Sequence, residues 1–157
     1  MGGCVSAKEI GLVDALEKGN YNYLDRSKMD PREGLMAAYD ADVFLSSANA
    51  VTNDGILVNI DGNSNRVSCI AQGPRKVVFI VGINKVCSDL DSAMKRARNV
   101  AAPVNAQRFD LNIPCKETGK CFDCKSMDTI CCQFLITRFS RHTDRIHVIL
   151  VNDTLGY

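Results

Sequence analysis

Residues 42–49 read Asp42-Val43-Phe44-Leu45-Ser46-Ser47-Ala48-Asn49. A short apolar run that ends abruptly in small polar residues is the pattern of a buried strand handing over to a polar loop. The pattern recurs at residues 56–60, closing on Asn59-Ile60-Asp61-Gly62, and at residues 76–81, closing on Gly82-Ile83-Asn84-Lys85. Between these runs the period changes. A short helix fits from Ser64 or Asn65 to Gln72, ahead of the Gly73-Pro74 stop. Ser88, with Asp91 three residues on, predicts the start of a longer helix. Its Leu90, Met94 and Ala97 share a face, and it ends or kinks near Pro103. Strands alternating with helices imply an α/β fold on a parallel or mixed sheet.

Outward from this centre, Gly2-Gly3-Cys4 reads as a glycine turn. Ser6 and Glu9 follow as a capping box that opens a helix with Ile10, Val13 and Leu16 on one face and a stop at Gly19-Asn20. Asp30-Pro31-Arg32-Glu33 repeats the start signal, with Asp30 as cap and Pro31 in the first turn of a helix reaching about Tyr39. Toward the C-terminus, residues 132–138 and 146–151 are β-rich runs joined by residues 140–145, which predicts a closing antiparallel pair. There is no internal repeat and no low-complexity linker.

The 157 residues suffice for one domain over residues 1–157, burying about two-thirds of the unfolded surface. With 19 basic and 18 acidic residues the net charge is +1, so no global field steers the chain to nucleic acid or an anionic membrane. No apolar run approaches the roughly 20 residues of a membrane span, and the N-terminus lacks the basic-then-apolar pattern of an export signal. A cytoplasmic protein is expected, in which the eight cysteines serve as thiols or metal ligands rather than disulfides.

Four of them crowd into Pro114-Cys115-Lys116-Glu117-Thr118-Gly119-Lys120-Cys121-Phe122-Asp123-Cys124-Lys125-Ser126-Met127-Asp128-Thr129-Ile130-Cys131. Cys115, Cys121, Cys124 and Cys131 have the C-x5-C-x2-C-x6-C spacing from which a turn can aim thiolates at one ion. Lys116, Lys120 and Lys125 would favour the ligating form. Zinc or an iron–sulfur cluster is the cofactor this implies; the alternative is reduced thiols packing as small hydrophobes.

A second candidate site comes from the strand ends, where open α/β sheets bind ligands. Ser47, Asn49, Thr52, Asn53, Asp54 and Gly55 form one polar segment, Asn59, Asp61, Gly62, Asn65 and Arg66 a second, and Gly82, Asn84 and Lys85 a third. Such a set suits a small carboxylate or phosphate. The same residues are also ordinary turn formers. His147 reads as a core histidine in an apolar strand and His142 as a solvated one. Lys95, Arg96 and Arg98 read as the solvated face of the long helix.

These residues together resemble the LUD domain family of bacterial lactate-utilisation proteins. The resemblance rests on Glu9-Ile10-Gly11-Leu12, residues 42–52, residues 54–62, Asn65-Arg66-Val67, Gly73-Pro74, Gly82-Ile83-Asn84-Lys85, the cysteine loop and residues 145–150. It implies a Rossmann-like three-layer fold, similar to the sugar-phosphate isomerase and CoA-transferase group. It also implies a part in oxidising lactate, a 2-hydroxy acid, to pyruvate beside partner proteins that carry iron–sulfur centres. This chain lacks the C-x2-C-x2-C-x3-C run of paired-cluster ferredoxins, so the resemblance points to an accessory or ligand-binding component. Gly2-Gly3-Cys4 stands where relatives show Gly-Gly-Ser, and Gly3 joins the ligand set on that ground. Relatives also carry helices and a strand before this turn. Their absence is expected to leave an open sheet edge and to favour association with a second copy or a partner. The readings left open are an anion-binding accessory protein, a zinc or iron–sulfur module, and an isomerase- or CoA-transferase-like enzyme with Asp54 or Asp61 as nucleophile.

Overall fold

The computed structural model describes Met1 and residues 3–157; Gly2, part of the expected opening turn, lies outside the described residues. In chain order the strands are β1 (Val43–Ser46), β2 (Ala50–Thr52), β3 (Leu57–Asp61), β4 (Lys76–Gly82), β5 (Val86–Cys87), β6 (Gln133–Thr137) and β7 (Ile146–Val151). The α-helices are α1 (Val5–Glu9), α2 (Leu12–Lys18), α3 (Pro31–Asp40), α4 (Val67–Gln72), α5 (Leu90–Arg96), α6 (Ala102–Ala106) and α7 (Pro114–Thr118). A π-helical turn at Ala97–Ala101 joins α5 to α6. The described residues group into two compact units. One comprises Met1–Ser47, Ser68–Ile83 and Ser140–Gly156, the other Ala48–Val67, Asn84–Phe139 and Tyr157. Each has its own sheet, and the fold is mixed α/β and Rossmann-like.

In the first unit the sheet is wholly parallel, in the order β1-β4-β7, with Val43 opposite Lys76 and Val77 opposite Ile146. Parallel strands covered on both faces read as continuous apolar runs, and β4 does: Val77, Phe79, Ile80 and Val81 are all buried. Phe44 and Phe79 are among the largest fully buried side chains, each contributing about 1.5–3 kcal/mol of burial. Cys4 and Ala7 pack against Ile80 and Leu155, with Leu12, Val13 and Val151 around them.

The helix expected from Ser6 to Gly19 is broken at Gly11, whose φ of 73° is open to glycine and strained for other residues. The expected capping box does not form. Cys4 takes the N-cap place without a side-chain capping bond, Ser6 is buried with its hydroxyl 3.4 Å from that of Ser47, and Glu9 Oε2 accepts the Gly156 amide at 2.6 Å. The Asp30-Pro31 start is as expected: Asp30 Oδ1 accepts the Arg32 and Glu33 amides at 2.9 and 3.2 Å. Arg145 donates to the carbonyls of Ile70 at 2.8 Å, Pro74 at 3.2 Å and Cys69 at 3.3 Å, satisfying the C-terminal end of α4.

The second unit holds a mixed sheet in the order β5-β2-β3-β6, with β2 parallel to β5 and antiparallel to β3, and β3 antiparallel to β6. The expected pairing of residues 132–138 with 146–151 is therefore corrected. β6 runs from Leu57 opposite Thr137 to Asp61 opposite Gln133, whereas β7 pairs with β4. Long-range partners with matched apolar runs displaced the local hairpin. Helix α5 is capped by Asp89 rather than Ser88: Asp89 Oδ1 accepts the Ser92 amide at 2.7 Å, and the Ser88 hydroxyl donates to Asp89 Oδ2 at 2.6 Å. The kink expected near Pro103 is realised as the π-helical turn before it, because proline has no N–H for the preceding turn and crowds its carbonyl.

Candidate functional site

Gly3, which is exposed, lies in the first unit with Ser47 and Gly82, while the other residues of the expected anion site lie in the second. Most of those residues are engaged by the chain itself. Asn49 Oδ1 accepts the Ile60 amide at 2.8 Å, and its own amide donates to Val58 O at 2.9 Å. Thr52 closes the turn between β2 and β3, its hydroxyl oxygen accepting the Ile56 amide at 2.8 Å while its proton goes to Asp54. Gly55, with φ 89°, supplies the conformation this turn needs. Asp61, only 7% exposed, accepts the Asn63, Arg66 and Val67 amides at 3.1, 3.0 and 3.0 Å, which seats the start of α4. Arg66 donates to the Ile60 carbonyl and stands 3.8 Å from the Asp61 carboxylate. Asn59 and Lys85 are buried, Asn65 is exposed, and the Asn84 carbonyl accepts from Arg96 at 2.9 Å. At Gly62 an added Cβ would stand 3.3 Å from Ile130 Cα, so this glycine admits the backbone of the cysteine segment, and the Cys132 amide donates to Asp61 O at 2.9 Å.

Two sequence readings are corrected here. Arg96 is not on a solvated face: its guanidinium is half-buried, donates to the Asn84 and Asn49 carbonyls and ties those loops to the helix, with burial lowering its pKa. His147 is not a core residue; it is 38% exposed, with Nε2 3.2 Å from Asp144 Oδ1.

An opening in the second unit lies along the long helix. It measures about 500 Å³ and is lined by Asp91, Met94, Lys95, Arg98, Asn99 and Cys121. Five of these recur at helical spacing and so share one face, while Cys121 arrives from the cysteine loop. That spacing is the signal which could have singled them out. Arg98 anchors the loop: its Nη2 donates to Asp123 Oδ1 at 2.6 Å and to Cys121 Sγ at 3.5 Å, and those partners raise its pKa. The pocket thus joins two cations, a carboxylate, an amide and a sulfur, a set that can hold a small anion with a hydrogen-bonding substituent.

Cys115, at the start of α7, is buried beside Ala106 and Ile113, with Cys124 and Ile130 against the same cluster. Burial raises the pKa of Cys115 and pushes the Cys131 thiol up to about 12, with the neighbouring thiols adding to the effect in both. Cys124 Sγ lies 3.6 Å from Thr129 Oγ1. The four cysteines are thus neighbours. Yet among the described residues no group of three or more His, Cys, Asp or Glu side chains is placed to hold a metal ion. The thiol donors suit zinc or an iron–sulfur cluster by type, but their arrangement does not fit a coordination shell.

Among the described residues no helix is long and apolar enough to cross a membrane. No curated protein and no solved structure matches the chain. The model of the LUD domain matches residues 1–151 of the 157, and this chain belongs to the LUD domain family.

Proposed function

We propose that this LUD-domain protein is an accessory component of lactate, or 2-hydroxy acid, oxidation that binds a small carboxylate in the pocket beside Lys95 and Arg98. Membership of the family supports the metabolic setting. The observation that carries the site is the convergence of Lys95, Arg98 and Asn99 on one opening. The two cations would hold the carboxylate, and the Asn99 amide would meet a neighbouring hydroxyl or carbonyl. Electron transfer is then the task of partner proteins bearing iron–sulfur centres.

An enzyme of the CoA-transferase type is less well supported by the geometry. A carboxylate nucleophile must face its substrate, whereas Asp61 is buried under three amide donors and Asp54 takes the Thr52 hydroxyl. Calorimetric titration with lactate and pyruvate tests the proposal. Saturable binding that falls on the order of tenfold in Lys95→Gln is the expected result, one charge-assisted hydrogen bond being worth about that much. Binding unaffected by Lys95→Gln would contradict it.

A further inference from the structure

Cys121 differs from the other thiols of its loop. Its sulfur accepts two donors, Nη2 of Arg98 at 3.5 Å and the Asp123 amide at 3.4 Å, and it opens on the pocket that Lys95 also lines. N–H donors aimed at sulfur stabilise the negative charge it bears as a nucleophile or as a departing thiolate. Cys131, by contrast, is only partly exposed, and Cys115 is buried. Cys132 is exposed, but its sulfur lies 3.8 Å from the Thr129 carbonyl, an acceptor that offers no stabilisation to charge. Cys121 is therefore the thiol equipped to react, and it has company: Cys124 lies at C-x2-C spacing, and Cys131 is near enough to feel the charge of Cys121. Because the four thiols are neighbours without forming a coordination shell, exchange chemistry suits them better than metal binding.

We propose that Cys121 is a thiol–disulfide exchange site for a small disulfide carrying carboxylates, drawn in by Lys95 and Arg98. The Cys121 thiolate attacks one sulfur of the disulfide; the S–S bond of the reagent breaks, a mixed disulfide forms on Cys121, and one thiolate leaves. A second thiol of the cluster, Cys124 or Cys131, gives up its proton and attacks Cys121 Sγ, closing a protein disulfide and releasing the second small thiol. Two protein thiols are oxidised, one small disulfide is reduced, and the protons of the former end on the two released thiols. The site does not depend on lactate being the pocket's ligand, so it stands or falls separately from the function proposed above.

The test uses the whole chain, reduced, purified without oxygen and exposed to oxidised glutathione, with peptide mass mapping over time. The wild type is expected to form a disulfide from Cys121 to Cys124 or Cys131 without retaining glutathione. The Cys124→Ser, Cys131→Ser double variant should instead hold one glutathionyl group on Cys121. Arg98→Gln should slow the first step on the order of tenfold, and Arg98→Lys, which keeps the charge, should slow it less. First modification at Cys132, an Arg98→Gln rate equal to wild type, or a stoichiometric metal that leaves Cys121 unreactive would overturn the proposal.

Discussion

The carboxylate of Asp61 is taken up by the chain itself. It is buried and accepts three backbone amides, and the adjoining Gly62 lets the Ile130 backbone approach. Hydrogen bonds to a charged acceptor are worth more than neutral ones, so Asp61→Ala should cost about 2–3 kcal/mol of stability, measured by urea unfolding. Asp61→Asn, which keeps one acceptor oxygen, should cost less. An Asp61→Ala variant as stable as wild type would mean that these amides are satisfied without it. At this scale the sequence names the polar residues at the strand ends, and the fold shows which amides they meet. An Asn-Asp-Gly turn and a ligand cradle draw on one residue vocabulary, and only the fold reveals which amides a carboxylate meets. Arg96 illustrates the converse: placed by periodicity on a solvated stripe, it reaches inward to the carbonyls of Asn49 and Asn84.

Among the elements, the helix spanning α5, the π-helical turn and α6 carries the most consequence, because its Asp91, Lys95, Arg98 and Asn99 line the pocket. Its start was legible to within one residue, since Ser88 and Asp89 both have capping side chains and only the geometry selects Asp89. The Asp89 carboxyl is held down to about 2, first by the Ser88 hydroxyl and then by the Ser92 amide. A carboxyl depressed on folding stabilises above its unfolded value of about 4, and the contribution disappears as pH falls through about 2. Asp89→Ala should thus lower the unfolding midpoint at pH 7, and the gap from wild type should close between pH 4 and pH 2. A gap that persists at pH 2 would contradict this capping role. Proline marked the break in this helix, but nothing in the sequence says that the chain answers with a π-helical turn rather than a stop. β2 and β5, three and two residues long, fall below the length at which periodicity speaks.

For the whole molecule, the α/β class followed from apolar runs alternating with helical ones, and membership of the LUD domain family from ordered motifs along residues 1–151. The strand pairing did not follow. β6 and β7 are consecutive in the chain yet belong to different sheets, because each pairs with a strand far away in sequence. The same long-range assembly brings Cys121 and Asp123 to Arg98 across an interval of more than twenty residues, which no local spacing announces. The proposed function has a small carboxylate bound beside Lys95 and Arg98 and not at the turns around Asp54 and Asp61. Amide chemical shifts of isotopically labelled protein titrated with lactate distinguish the two places. Saturable shifts confined to residues 91–99 and 121–124 are expected; shifts centred on residues 52–66, with the long helix silent, would contradict the proposal.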